Sequence, residues 1–96
     1  MRVRFSDEAK VRLRSIHAHI SKDSSARATA MIDRITRRAG EIGDFPHAGR
    51  MVPKYERDDL REVHEAPYRI IYRVRRDEIE IATVMHYRQL LPEDLA

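Results

Sequence analysis

Leu60-Arg61-Glu62-Val63-His64-Glu65, then Ala66-Pro67, then Tyr68-Arg69-Ile70-Ile71-Tyr72-Arg73-Val74, then Arg75-Arg76-Asp77-Glu78, then Ile79-Glu80-Ile81-Ala82-Thr83-Val84-Met85 is the stretch that decides the fold. Branched and aromatic residues alternate with charged ones at a period of two, which is the pattern of half-buried strands. Ala66-Pro67 breaks the first run and the polar Arg75–Glu78 segment suits a four-residue hairpin turn, so three strands follow one another as an antiparallel meander. In the middle strand Tyr68, Ile70, Tyr72 and Val74 point one way and are expected in the core, with both tyrosines as core aromatics. Arg69, Ile71 and Arg73 point the other way. In the preceding strand Leu60, Glu62 and His64 oppose Arg61, Val63 and Glu65, and neither side is purely apolar.

Upstream of this meander, residues 44–53 read as a loop, because Pro46, Gly49 and Pro53 interrupt any regular pattern. Before it, two helical stripes are legible: Ala9, Leu13, Ile16 and Ile20, then Ala28, Ile32, Ile35, Ala39 and Ile42. Ser6 is placed to cap the first helix, with Asp7 and Glu8 complementing its dipole, and residues 21–25 form a short polar link. The second helix is expected to end near Gly40 or Gly43, closed by a glycine in the left-handed region. Arg27, Arg34, Arg37 and Arg38 avoid the apolar stripe and read as a solvated face. Val3 and Phe5 alternate with Arg2 and Arg4 as a short first strand. The expected architecture is α+β, in the order β-α-α-β-β-β, a helical hairpin packed on a small, mainly antiparallel sheet.

Residues 1–96 are expected to form a single domain, enough to bury about 65% of the surface of the unfolded chain. There are 19 Lys and Arg against 16 Asp and Glu, for a net charge of +3, too near balance for a nucleic-acid tail. Sixteen of the 19 cations are arginine, whose planar fork suits carboxylate or phosphate. With no cysteine there is neither a disulfide framework nor a thiolate metal site, which fits a reducing cytoplasm. No signal-like or membrane-spanning run occurs. His17 and His19 diverge on a helix and no metal-ligand spacing is present, so neither metal nor cofactor is expected.

The order of elements, Phe5-Ser6 with its following stripe, the loop Phe45-Pro46-His47-Ala48-Gly49-Arg50-Met51-Val52-Pro53, Leu60-Arg61-Glu62, Tyr68-Arg69-Ile70-Ile71-Tyr72 and Val84-Met85-His86-Tyr87-Arg88 together resemble the ParE branch of the RelE/ParE toxin superfamily. The resemblance runs from Val3 to about Leu90. It implies a small cytoplasmic toxin of a type II toxin–antitoxin module, neutralised by a cognate ParD-like antitoxin whose C-terminal segment wraps the toxin by folding as it binds. ParE-like members are implied to poison DNA gyrase without covalent chemistry, whereas RelE-like members cut mRNA in the ribosome.

Two sets of site residues follow from these alternatives. As a cationic surface for gyrase or the antitoxin, the candidates are Arg61, Arg69, Arg73, His86 and Arg88, with His86, Arg88 and Leu90 resembling a common ParE ending. For an endoribonuclease, Glu62, His86 and Tyr87 would move protons, with His64 as a further candidate, and Arg61 would hold phosphate. The His86-Tyr87 pair resembles the His-Tyr that ends YoeB-type ribosomal nucleases, but here Arg88 and the residues after it continue the chain. Lysine-rich loops are also missing, since only Lys10, Lys22 and Lys54 are present. Both departures favour gyrase as the target, and direct binding of nucleic acid is not expected.

Overall fold

The computed structural model describes residues 1–95. Its elements are β1 (Arg2–Phe5), α1 (Asp7–Ser21), α2 (Ser25–Ile42), β2 (Arg50–Met51), β3 (Leu60–Glu65), β4 (Tyr68–Val74) and β5 (Glu78–His86). They make one five-stranded sheet in the order β1-β5-β4-β3-β2. Only β1 runs parallel to its neighbour, with Phe5 opposite Ile81; the other pairs are antiparallel. The first strand thus joins the meander at its β5 edge.

Both helices start where a serine side chain can accept a free backbone N–H. Ser6 Oγ takes the amide of Ala9 at 3.0 Å, and Ser24 Oγ takes that of Arg27 at 3.1 Å. α2 ends at Gly43, but with φ −59° rather than in the left-handed region that the glycine led us to expect. Glycine is needed there for space: a Cβ would collide with the carbonyl oxygen of Met1, whose amino group donates to Gly43 O at 2.6 Å. No helix among the described residues is long and apolar enough to cross a membrane.

The helix-facing core contains Ala9, Ile35, Ala39, Ile42, Val63, Tyr68, Ile70, Tyr72, Ile79, Ile81 and Val84. Each large aliphatic side chain buried here stabilises the fold by about 1.5–3 kcal/mol. Ile79, Ile81 and Val84 share this face although their spacing is not a strict alternation. A bulge opposite Ile71 and Tyr72 inserts Ala82 as an extra residue, so the inward positions shift from odd to even along β5.

A second, smaller core lies on the opposite face, where sequence alternation placed mostly polar residues. Val52, Leu60, Ile71 and Met85 are buried there beneath Leu95, with Tyr55 and Leu91 packed alongside. The segment after His86 crosses this face and is held by Tyr55 Oη to Pro92 O at 2.6 Å and Lys54 Nζ to Leu91 O at 3.2 Å. β2 also corrects the expectation of an unstructured loop. Arg50 and Met51 pair with Glu62 and Arg61, because Gly49 lets the backbone tuck against Tyr72 before Pro53 ends the pairing.

Candidate interaction site

Glu62 sits on the sheet face away from the helices, and its side chain has 0% exposure. A buried carboxylate is costly unless several donors surround it. Arg69, one diagonal step away on β4, supplies two: Nε to Oε1 at 2.8 Å and Nη2 to Oε2 at 2.9 Å. His64 Nε2 lies 2.7 Å from Oε1, and since an ionised carboxylate only accepts, that ring nitrogen carries the proton. Arg50 adds an ion pair at 3.3 Å from the short strand β2. Burial pushes the Glu62 carboxyl upward, but the bonds from Arg69 and His64 and the charge of both arginines outweigh it, holding the group below the ordinary 4.5.

Arg61 faces the other way and is bound to the loops. Its Nη1 donates to Gly49 O at 2.9 Å and His47 O at 3.4 Å, its Nε to Asp58 O at 3.1 Å, and its Nη2 to the Asp58 carboxylate at 2.6 Å. Arg73 lies nearly buried, with Nη1 2.7 Å from Glu80 Oε1 and Nη2 donating to Leu95 O at 3.1 Å. Three of the five arginine and histidine residues expected to form a cationic surface therefore spend their charge within the chain.

The end of β5 is different. His86 packs edge-on against Tyr68, with ring centroids 5.5 Å apart, and its Nδ1 accepts the backbone N–H of Arg88 at 3.0 Å. Tyr87 is exposed and lies 5.2 Å from the His64 ring. The Arg88 side chain is exposed and has no hydrogen-bond or ion-pair partner among the described residues. Beside it, Leu90 is 92% exposed. So the structure brings Glu62, His64, Tyr87 and His86 into one continuous run across the sheet end, with Glu62 closed off and His64 and Tyr87 open to solvent.

Arg50 and His64 are the site residues that sequence reading left out or undervalued. Their signal was present in principle, as charged residues near Glu62 across a strand pair, but it needs the register. Arg50 stands opposite Glu62, and Arg69 stands opposite His64.

Residues 3–91 match the model of the family described as the ParE toxin of the type II toxin–antitoxin system parDE. The chain belongs to this ParE toxin family. A Sinorhizobium fredii protein named "Putative toxin Y4kP" is 35% identical over 94 residues, which is 98% of this chain and 96% of that one. In fold, the ParE chain is similar to one in the solved "Chromosomal ParDE TA system from P. aeruginosa", with a TM-score of 0.74 at 19% identity, covering 90% of this chain and 95% of that one.

Proposed function

We propose that this ParE toxin inhibits DNA gyrase by binding, stabilising the gyrase–DNA cleavage complex, and that a ParD-like antitoxin neutralises it by laying its C-terminal segment over the toxin. The observation that carries this reading is the closed state of Glu62. A ribonuclease needs a base that can reach a 2'-hydroxyl, and the one carboxylate at the centre of the site has no exposed surface and is saturated by Arg69, His64 and Arg50. Arg61, the phosphate-holding candidate, is engaged by loop carbonyls and Asp58. What remains open is a binding surface, formed by Arg88 with Tyr87 and Leu90. Arg61, Arg69 and Arg73 support that surface by holding the sheet and its loops, and His86 fixes the start of the final turn.

The alternative, ribosome-dependent mRNA cleavage, is favoured by one feature, the proximity of the His64, Tyr87 and His86 rings. The two readings separate in a side-by-side assay of the purified toxin. Gyrase inhibition with an intact mRNA in a translating extract is the expected result. Cleaved mRNA with unimpaired supercoiling, lost in His86→Ala, would reverse the assignment.

A further inference from the structure

Charge is divided unevenly between the two layers of the fold. Between Asp7 and Ile42 the chain holds eight Lys and Arg against five Asp and Glu, which is its whole net charge of +3; the remainder holds eleven of each. Outside the helical hairpin, nine of the eleven cations sit in an ion pair, Arg76 and Arg88 being the exceptions among the described residues. On the hairpin only Arg34 and Arg38 do among the described residues, with Glu65 at 3.4 Å and Glu41 at 3.6 Å. The uncompensated positive field therefore comes from the helices, not from the arginine-threaded sheet.

Arg12 stands apart from the other free cations on the hairpin. It is half-buried, and it overhangs a groove of about 250 Å³ whose floor is Ile16, Tyr68 and Val84. This groove exists because β1 covers β5 only as far as Ile81 before the chain turns at Ser6 into α1, leaving the last residues of β5, paired with β4 on one side, without a strand on the other. Gln89 fills part of that gap, its Oε1 accepting the His86 backbone N–H at 2.7 Å. On the other side of the same edge Arg12 also borders a recess of about 720 Å³ that ends at the exposed Leu90.

We propose that the groove between α1 and the end of β5 is the seat of an acidic, amphipathic polypeptide segment. An aliphatic side chain of that segment lies on Ile16, Tyr68 and Val84, and a neighbouring carboxylate pairs with Arg12. This rests on the toxin–antitoxin reading and commits to the antitoxin as the occupant. A free guanidinium beside an apolar floor suits a carboxylate flanked by aliphatic groups. It suits a phosphate backbone poorly, since Arg12 is the one Lys or Arg lining the groove among the described residues and Glu8, Glu80 and Asp94 border the adjoining recess. The field of the hairpin guides the acidic chain in, and the groove sets its position.

The test titrates the full-length toxin with the polypeptide encoded by the reading frame next to its own, by calorimetry. Arg12→Glu and the groove-filling Ser15→Trp are each expected to weaken binding by about thirtyfold. Arg27→Glu, an equal charge reversal away from the groove, is expected to weaken it only by about threefold. Equal losses in Arg12→Glu and Arg27→Glu, with none in Ser15→Trp, would reduce the effect to diffuse charge and overturn the groove. So would wild-type affinity in both groove variants, or Arg12-dependent binding of a short DNA duplex with polypeptide binding unchanged. Absence of any binding by the wild-type toxin would instead overturn the antitoxin reading itself.

Discussion

Arg69 forks onto the Glu62 carboxylate from the adjacent strand, with 2.8 Å and 2.9 Å bonds to its two oxygens, and thereby makes a fully buried acid tolerable on a face that sequence alternation leaves polar. The charge pair closes the sheet end from within the chain. Removing one member of such a pair is more damaging than removing both, because the survivor stays desolvated. Arg69→Met is expected to lower stability by about 3 kcal/mol, with Arg50 and His64 retaining part of the compensation. The double variant Arg69→Met with Glu62→Leu is expected to recover much of that loss. Urea unfolding midpoints at constant slope measure both; a single variant as stable as wild type would contradict the closed-pair account.

Acid sensitivity follows from the same group. The Glu62 carboxyl is held below 4.5, since burial, which pushes it up, is outweighed by Arg69, His64 and Arg50. Glu80 is likewise lowered: burial raises it, but Arg4, Arg75 and Arg73 prevail. A carboxyl whose folded pKa is depressed contributes stability that is present above its unfolded value and is lost as pH falls through the folded one. Stability is therefore expected to hold from neutral pH down to about 4.5 and to fall below it. The stability gap between wild type and Glu62→Gln is expected to be widest at neutral pH and to close in acid. Thermal unfolding across a pH series checks this, and a gap that stays constant below pH 4 would contradict it.

The Tyr72 hydroxyl holds the loop before β2. It donates to Pro46 O at 2.7 Å and accepts the Gly49 N–H at 3.1 Å. Tyr72→Phe strips a partner from a buried backbone donor and is expected to cost about 1–2 kcal/mol. Tyr68→Phe serves as the contrast, because its hydroxyl makes no hydrogen bond among the described residues, and a change within about 0.5 kcal/mol is expected. Amide exchange should also quicken at Gly49 in Tyr72→Phe alone. Equal effects from the two substitutions would remove the hydroxyl from the explanation.

Thr83 presents the opposite situation. Its side-chain oxygen is buried without a partner among the described residues, beside Ile71 on the sheet face under the final segment. Thr83→Val keeps the shape and removes an unsatisfied hydroxyl, so a gain of about 1 kcal/mol is expected. A loss of stability on chemical denaturation would mean that the hydroxyl has a partner after all.

These cases show which parts of the molecule can be read from its chain. β3 and β4 agree with the expected Leu60–Glu65 and Tyr68–Val74 because a period of two, broken by Ala66-Pro67, has one reading. The helix stripes and the serine caps are equally local signals. The second core was hidden because Ile71 stands alone between two arginines, and its covering residues, Leu91 and Leu95, lie in a segment without periodicity. The arginines of the sheet were legible as residues but not as a surface. Whether a guanidinium faces a partner or a neighbour's carboxylate depends on register, and register brings Arg50, Arg69 and His64 around one buried acid.

That distinction decides which substitution tests toxicity cleanly. Alanine at Arg61 or Arg73 breaks bonds to Gly49 O, Asp58, Glu80 and Leu95 O, so a loss of toxicity there is inseparable from a loss of structure. Among the described residues Arg88 contributes only its backbone N–H, to His86 Nδ1, and its guanidinium has no partner. Arg88→Ala is thus expected to leave the unfolding midpoint within about 0.5 kcal/mol of wild type. It is expected at the same time to weaken growth arrest and gyrase inhibition by about tenfold, the scale of a lost charged contact at an interface. Full toxicity in a normally folded Arg88→Ala chain would move the proposed target-binding surface away from the end of β5.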